Sequence, residues 1–325
     1  MTVLREVLRR PQGAFAAGWL ALVVVAAVVS RWWTPQDPFR ADPYSAWQGP
    51  SAAHPFGTDA IGRDVLSYVM AASGTTVLVA VASALVAVVL GVALGALGAL
   101  TARWVREAVV VLVDVLVAFP TILVAMALAA VFGGSLGVVV VAVGIGYGVA
   151  VARVSRAELR RVATTDYVLA ARASGVGTAG VLRRHVLPNA APVLVVQVSL
   201  AMATSILAEA GLSFLGYGAP ASVPSWGRLL SDLQPFVATH PGTVAWPGLA
   251  ITLTVLAFNL LGDALRDAGD PRLRTRGTPR RGSRRDGAGA GAAGPGAARA
   301  GAARPGAARA RAARPGAAPT GRSAP

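Results

Sequence analysis

The chain has 325 residues, of which 54% are hydrophobic and only 14% are charged, and its formal net charge at pH 7 is +15. A soluble domain carries about 25% charged residues, so this composition excludes an ordinary soluble domain and favours a membrane protein. The chain has no Cys, and all 30 basic residues are Arg, which excludes disulfides, thiolate metal sites and a P-loop ATPase, since that enzyme needs a lysine.

The first predicted span follows a basic N-terminus. Residues 14–30 are apolar and uncharged, and Arg31, Trp32 and Trp33 come directly after them. A cleaved signal peptide is the alternative, but the apolar run is long and ends at an aromatic pair typical of a membrane interface. We therefore predict a cytoplasmic N-terminal segment and first span within residues 1–33.

A polar stretch, residues 34–66, is a predicted extracytoplasmic loop. It leads into the run HPFGTDAIGRDVLS at residues 54–67, in which the glycines fit turns and the arginine can pair with either neighbouring aspartate. A metal or acid–base site is the alternative to an ordered cap that leads into a helix. We favour the structural role, and we assign it to Gly57, Thr58, Asp59, Gly62, Arg63 and Asp64.

The second span is one long helix. No charged residue occurs from Val65 to Ala102, and a span needs about 20 apolar residues. Gly91, Gly95 and Gly98 place small residues on one face, which favours close helix packing, although glycines that are merely tolerated in lipid explain the same pattern.

Residues 108–132 form the third predicted span. Asp114 interrupts it, and this carboxylate is either functional or paired with Arg106 near the membrane interface. Pro120 predicts a kink, because proline removes one helix hydrogen bond.

A fourth span is predicted over Val138 to Val151, extending toward Arg156. Seven arginines then crowd one side: Arg153, Arg156, Arg160, Arg161, Arg172, Arg183 and Arg184. The positive-inside rule makes this side cytoplasmic. A chain that starts inside and crosses four times also returns to the cytoplasm here, so two independent arguments agree.

The stretch from Thr165 to Asn189 carries too many charged side chains to lie in lipid. A short helix is predicted over residues 166–174, and Gly175 permits the turn that follows it. A second short helix is predicted over residues 179–186 and is expected to stop before Pro188. An ordinary basic loop that only sets topology is the alternative to a functional element.

The fifth span is predicted over residues 190–208 and the sixth over residues 246–261. Glu209 lies near the outer end of the fifth span, shortly before Gly211. This carboxylate is either a proton-coupling group or a structural group at a helix break, and we favour the second role. An outer segment, residues 216–245, joins the two spans.

The C-terminal tail differs from the rest. Residues 273–325 are mostly Arg, Ala, Gly and Pro, and they are predicted to be disordered because they cannot bury a core. The arginines would be attracted to anionic lipid, whereas nucleic-acid binding is not expected of a tail tethered to a membrane. The five spans that follow the polar loop lie before this tail, within residues 67–272.

Several of these runs resemble one family. Ala170, Ala171, Gly175 and Leu187-Pro188 have the spacing of the "EAA" loop of permease subunits of binding-protein-dependent ABC importers, although Leu169 stands where that family usually has Glu. The runs at 54–67, 114–125, 207–216 and 224–227 resemble the dipeptide, oligopeptide and nickel branch. The resemblance covers roughly residues 14–272.

The resemblance implies an all-α polytopic membrane protein with the six transmembrane helices and cytoplasmic coupling helix of a type I ABC importer permease. It implies a transport subunit of a bacterial cell membrane, with both termini cytoplasmic, rather than an enzyme. We expect ATPase coupling from eight residues: Asp166, Ala170, Ala171, Arg172, Gly175, His185, Leu187 and Pro188. We expect structural roles from four more family-motif residues: Asp114, Pro120, Glu209 and Gly211.

The implied partners are a second, homologous permease, two cytoplasmic P-loop ATPase subunits, an extracytoplasmic solute-binding protein and membrane lipid. ATP and magnesium would bind the ATPase subunits, because this chain has no nucleotide site. Di- or oligopeptides are the implied cargo, with nickel or another small solute as the alternative. The competing class is a gradient-driven secondary transporter, for which Asp114 and Glu209 are the acidic candidates inside spans.

Overall fold

The computed structural model describes residues 2–269, and helices dominate this part of the chain. The predicted disordered tail, residues 273–325, lies outside the described residues. In chain order the helices are α1 (Thr2–Arg9), α2 (Pro11–Val29), α3 (Val65–Leu100), α4 (Arg103–Val117), α5 (Thr121–Phe132), α6 (Leu136–Ala163), α7 (Asp166–Ala173), α8 (Thr178–Val181), α9 (Leu187–Phe214), α10 (Trp226–Leu233) and α11 (Pro241–Gly269).

Five helical segments in the described chain are long and apolar enough to cross a membrane: α2, α3, α6, α11 and the run from Thr178 to Phe214 that contains α8 and α9. The pair α4 and α5 makes a sixth span if the two are counted together. The predicted all-helical fold with six spans is therefore confirmed.

The third span consists of two separate helices rather than one helix with the predicted kink. The axes of α4 and α5 differ by 80°, and the break falls immediately before Pro120. This proline cannot donate to the carbonyl of Leu116, and it disfavours a helical backbone at Phe119. The Leu116 carbonyl instead accepts from the Phe119 N–H at 3.3 Å, which forms a tighter turn of three residues and ends α4.

The central pair of helices is α3 and α6, which pack along their length. Residue numbers at the contact rise together on both helices, since Gly144 faces Val86 and Gly91 faces Val151, so the helices run parallel. A Cβ added at Gly91 would lie 2.6 Å from the Cβ of Val151. The predicted close packing of the glycine face of α3 is therefore confirmed.

The start of α9 differs from the prediction. The second short helix was expected to stop before Pro188, but α8 continues through a π-helical turn, Leu182–Val186, directly into α9. Pro188 lies in the first turn of α9. The wider turn immediately precedes the proline, whose ring would otherwise clash with the carbonyl four residues earlier.

The end of α9 also differs from the prediction. The helix runs past Gly211 and ends at Phe214, so the expected break before Gly211 is wrong. The stop lies at Gly216, whose φ of +84° is the left-handed conformation that glycine adopts at little cost. The Tyr217 N–H closes this end by donating to the carbonyl of Leu212 at 2.8 Å.

Two ends of the bundle carry different structures. The cap segment, which we define as residues 34–64, packs with α10 at the end where α3 begins, and we call this the cap end. The α7 region, defined as residues 165–189, lies at the end where α6 finishes, and we call this the basic end. The N-terminus joins the basic end, because Arg10 forms an ion pair with Asp267 of α11.

Candidate functional site

The α7 region is a short helix that is held at one point and exposed elsewhere. Val168 is fully buried, whereas Asp166, Ala170 and Arg172 are exposed and Ala171 is half-buried. Asp166 lies in the first turn and Arg172 in the last, where their charges are favourable for the helix dipole. The region therefore presents most of α7 to an approaching surface.

The exposed face of α7 is partly apolar. Leu169 is 49% exposed and Tyr167 is 47% exposed. From the sequence, Leu169 stood out only because the family usually has Glu at this position, and Tyr167 was not a candidate. The signal available was the helical register, which places Val168 on the inner face and its two neighbours on the outer face.

The turn after α7 requires Gly175. Its φ is +83°, and no other atom lies within 4 Å of the position a Cβ would take. The requirement is therefore conformational rather than steric. The N–H of Gly175 donates to the carbonyl of Arg172 at 3.0 Å, and the N–H of Val176 donates to that of Ala171 at 3.2 Å, which closes the end of α7.

An apolar cluster attaches the α7 region to two spans. Its buried members come from α6, α7, α8, the π-helical turn and α9: Leu159, Val162, Ala163, Val168, Val181, Val186 and Ala190. Only two residues separate the end of α6 from the start of α7. The cluster therefore links α7 to both α6 and the start of α9.

The remaining predicted coupling residues lie in and after the π-helical turn. His185 and Leu187 are half-buried and Pro188 is exposed. The carbonyl of His185 accepts from Nδ2 of Asn189 at 2.6 Å, which ties the side chain after the proline back to the π-helical turn. The structure brings all eight predicted coupling residues into one region; their role in coupling stays a prediction.

The cap segment is held by a charged network. Asp59 is 2% exposed and accepts from the N–H groups of Ile61 and Arg63 and from Nε of Arg63 at 2.6 Å. Arg63 also donates to Asp232 of α10 at 3.0 Å. Burial alone would lower the pKa of Arg63, but the charge of Asp59 and the hydrogen bonds to Asp59 and Asp232 raise it above its ordinary value.

Asp64 does not pair with Arg63, although the sequence left either aspartate open. It caps the N-terminus of α3 by accepting from the N–H of Ser67 at 2.8 Å and from its hydroxyl at 2.6 Å. Its other oxygen contacts Nδ1 of His54 at 2.9 Å. These contacts fix the entry of the chain into α3.

The two cap glycines occupy turns. Gly57 has a φ of +75° and Gly62 a φ of +78°, and a Cβ at Gly62 would lie 1.9 Å from the carbonyl oxygen of Asp42. Thr58 accepts from the N–H of Gln48 at 2.8 Å. The predicted turns at both glycines are confirmed.

Glu209 is 1% exposed and joins α9 to the start of α10. The same carboxylate oxygen accepts from the hydroxyls of Ser213 at 2.6 Å and Ser225 at 2.8 Å. Ser225 is the residue immediately before α10. The carboxylate therefore has a structural setting, although that setting is a link between elements rather than a helix break.

The partner of Asp114 is not Arg106. Asp114 accepts from Arg153 of α6 at 3.0 Å, and both side chains are more than half exposed. The local spacing suggested Arg106 because it lies two turns earlier, but the contact between α4 and α6 brings Arg153 closer. Within residues 2–269 no cluster of three metal-ligating side chains is close enough to hold a metal ion.

Such a bundle of candidate membrane spans, with a short exposed helix attached to two of them, is the architecture of a polytopic membrane protein. The family described as "binding-protein-dependent transport system inner membrane component" matches residues 87–275. This match covers more than half of the chain, so the chain belongs to that family.

Three relatives carry names in the predicted branch. The dipeptide transport system permease protein DppC of Alkalihalophilus pseudofirmus is 34% identical over 252 residues, which cover 78% of this chain and 83% of that protein. The glutathione transport system permease protein GsiD of Pectobacterium atrosepticum is 37% identical, covering 82% and 89%. The nickel transport system permease protein NikC of Escherichia coli is 36% identical, covering 79% and 92%.

The predicted class, a permease subunit of a binding-protein-dependent ABC importer rather than an enzyme, is confirmed. Family membership implies ATPase and solute-binding partners and a bacterial inner membrane location. It favours this class over the alternative, a gradient-driven secondary transporter.

Proposed function

We propose that this chain is one of two permease subunits in an ATP-driven importer of di- or oligopeptides, and that its α7 region docks an ATPase subunit. The observation that carries the proposal is the combination of a buried anchor and an exposed face in one short helix. Val168 holds α7 to the bundle, whereas Tyr167, Leu169 and Ala170 are exposed to solvent.

The charge distribution supports an orientation in which the basic end faces the cytoplasm. Seven arginines follow one another along α6 and the α7 region, and by the positive-inside rule such a cluster stays inside. Both termini then lie in the cytoplasm, since α1 and the end of α11 join the basic end. The cap segment faces outward, where a solute-binding protein delivers its cargo.

The energy is proposed to come from partner ATPase subunits. The chain has no lysine and so no phosphate-binding loop of its own. Two ATPase subunits, each binding ATP and magnesium, are proposed to dock one on this chain and one on the second, homologous permease. The stoichiometry follows from the pairing of two related permeases, each with one docking region.

The transmission of motion follows from the packing. ATP binding closes the ATPase pair and shifts α7, which carries α6 and the start of α9 through the shared apolar cluster. Because α6 is tightly packed along the glycine face of α3, these helices move as one body. Such movement exchanges inward-facing and outward-facing states by a hinge or shear mechanism.

The docking proposal is tested by co-purification of ATPase subunits and by ATP-dependent uptake in proteoliposomes. Ala170→Asp places a charge on the exposed face of α7, and an unpaired charge in an interface opposes binding. We expect at least about a tenfold loss of ATPase binding and uptake. The matched control is Ala157→Asp, an equally exposed helical position on α6 outside the α7 region.

A second matched pair tests the turn. Gly175 and Gly216 have φ values of +83° and +84° with open space around them, and each closes a helix end with the same pattern of backbone hydrogen bonds, so alanine adds a similar backbone strain of about 1–2 kcal/mol at either position. We expect Gly175→Ala to reduce ATPase binding and Gly216→Ala to leave it unchanged. Equal effects within both pairs would contradict docking at α7.

The cargo requires its own assay, because the relatives are named for dipeptide, glutathione and nickel transport. Uptake of a labelled dipeptide is measured in proteoliposomes that contain both permeases, the ATPases and the binding protein. Unlabelled oligopeptide is expected to compete, whereas glutathione and Ni²⁺ are not. Competition by Ni²⁺ alone would replace peptide with nickel as the cargo.

A further inference from the structure

A cavity of about 620 Å³ opens between α6, α9 and α11 at the basic end. Toward the middle of the bundle its α9 wall is largely apolar, formed by Val193, Val196 and Leu200 beside Gln197. Toward the end of the bundle the lining becomes polar and charged, through Glu158, Arg161, Asn189, Asp263 and Arg266. The lining of the cavity therefore changes from apolar to charged along the axis of the bundle.

Two of the four charged side chains at the cavity form an ion pair with each other. Arg161 donates to both carboxylate oxygens of Glu158, at 2.8 and 2.6 Å. Asp263 and Arg266 are both exposed, and neither forms an ion pair with another residue of the described range 2–269. They lie three residues apart on α11, so the two side chains are neighbours on one helix face.

The cavity also offers an uncharged polar group. Asn189 lines it, and Nδ2 of this side chain already donates to the carbonyl of His185. The amide oxygen of Asn189 can accept a hydrogen bond from a ligand.

We propose that this cavity binds one zwitterionic phospholipid from the leaflet at the basic end. The lipid ammonium is placed at Asp263 and the amide oxygen of Asn189, the phosphate at Arg266, and an acyl chain along Val193, Val196 and Leu200. Pockets between membrane helices that offer charge at one end and apolar surface at the other suit lipid head groups and chains. The proposal depends on membrane insertion and not on the identity of the transported solute.

Charge complementarity favours a zwitterionic over an anionic lipid. The four charged side chains at the cavity sum to zero, and the two that are not already paired have opposite signs. An anionic head group has no ammonium for Asp263 and brings its phosphate close to that carboxylate. Such a like-charge approach opposes binding in a site partly shielded from water.

The test uses the full chain, purified in mild detergent with its co-purifying subunits, delipidated, and titrated with phosphatidylethanolamine or phosphatidylglycerol of the same acyl chains. Native mass spectrometry counts the bound lipids. Arg266→Gln is expected to lower the affinity for both lipids about tenfold. Asp263→Asn is expected to lower the affinity for phosphatidylethanolamine by a similar factor and to raise that for phosphatidylglycerol, because the site becomes net positive.

The control is Arg103→Gln, which removes another exposed arginine at the basic end, one that pairs with Glu107 on the same helix. It is expected to leave both affinities unchanged. Reversal of lipid preference in Asp263→Asn supports the proposal, since a merely structural residue would not change selectivity. The proposal is overturned if neither variant changes binding, if Arg103→Gln changes it equally, or if a dipeptide, itself a zwitterion, displaces the bound lipid.

Discussion

Alanine at Gly91 tests the contact on which the proposed transmission depends. An added Cβ would lie 2.6 Å from both Cβ and Cγ1 of Val151 and 2.8 Å from the carbonyl oxygen of Gly148. Carbon atoms pack best at about 3.5–4.0 Å. The two helices must therefore separate by about 1 Å at this level, and rotation of a side chain cannot relieve a clash with a backbone carbonyl.

The expected magnitude comes from two opposing terms. Replacing glycine by alanine inside a helix gains about 1 kcal/mol from backbone propensity. Overpacking a tight contact costs about 1–3 kcal/mol and sometimes more. The same helix offers a matched control at Gly74, where the nearest atom to the added Cβ is 3.9 Å away. Gly74→Ala is expected to stabilise the protein. Because the propensity gain is common to both variants, they should differ by the overpacking cost alone, about 1–3 kcal/mol.

The assay is thermal unfolding of the purified full-length protein in one detergent, followed by loss of the monodisperse chromatographic peak. Gly91→Ala is expected to melt below the wild-type protein and Gly74→Ala at or above it. A double variant with Gly95→Ala should lose less than the sum of the single losses, because one separation of α3 and α6 relieves both clashes. Equal stability of Gly91→Ala and Gly74→Ala would refute the close contact.

Two further predictions concern the polar links at the cap end. Asp59→Asn should increase protease cleavage within residues 34–64 strongly, because it removes a buried carboxylate from Arg63 at a cost of about 3–5 kcal/mol; Asp232→Asn, at a partly exposed carboxylate, should change cleavage little. Glu209→Gln keeps an acceptor for Ser213 and Ser225 and should retain stability and uptake. Glu209→Leu removes the acceptor of both hydroxyl protons, so it should destabilise the protein by about 1–3 kcal/mol per hydroxyl and lower the melting temperature. Loss of uptake in Glu209→Gln without loss of stability would instead indicate a protonation role.

The spans could be predicted because their cause is local. Each depends on about 20 consecutive apolar residues, which a sequence displays directly. The glycine face of α3 was also visible, since Gly91 and Gly95 are one helical turn apart. Which helix this face would meet was not visible, because its partners on α6, Val151 and Ser155, each lie 60 residues after the glycine that they contact.

Two prolines show that the same residue type can have different effects on a helix. Pro120 breaks the chain into α4 and α5, whereas Pro188 is absorbed in the first turn of α9. The two prolines have the same chemistry, but Pro188 follows a π-helical turn that widens the backbone just before it. A sequence predicts that a proline disturbs a helix; the packing of its neighbours decides whether the disturbance becomes a bend.

The polar partners were the least predictable part of the candidate site. Arg63 bonds to Asp232 and Glu209 bonds to Ser225, and both contacts join the cap end to α10. Arg63 and Asp232 are separated by 169 residues, so no local pattern connects them. The pairing of Asp114 with Arg153 was missed for the same reason, since the nearer arginine in the sequence was the natural choice.

The two ends of the bundle are held by different kinds of interaction, and this difference bears on the proposed transport cycle. At the cap end, directional contacts through Asp59, Asp64 and Glu209 fix the entry of α3 and the link to α10. At the basic end, α7 is attached chiefly by apolar packing around Val168. Apolar contacts are not directional, so helices can slide on them at less cost than breaking buried ion pairs. A displacement that begins at α7 is therefore expected to pivot about the cap end.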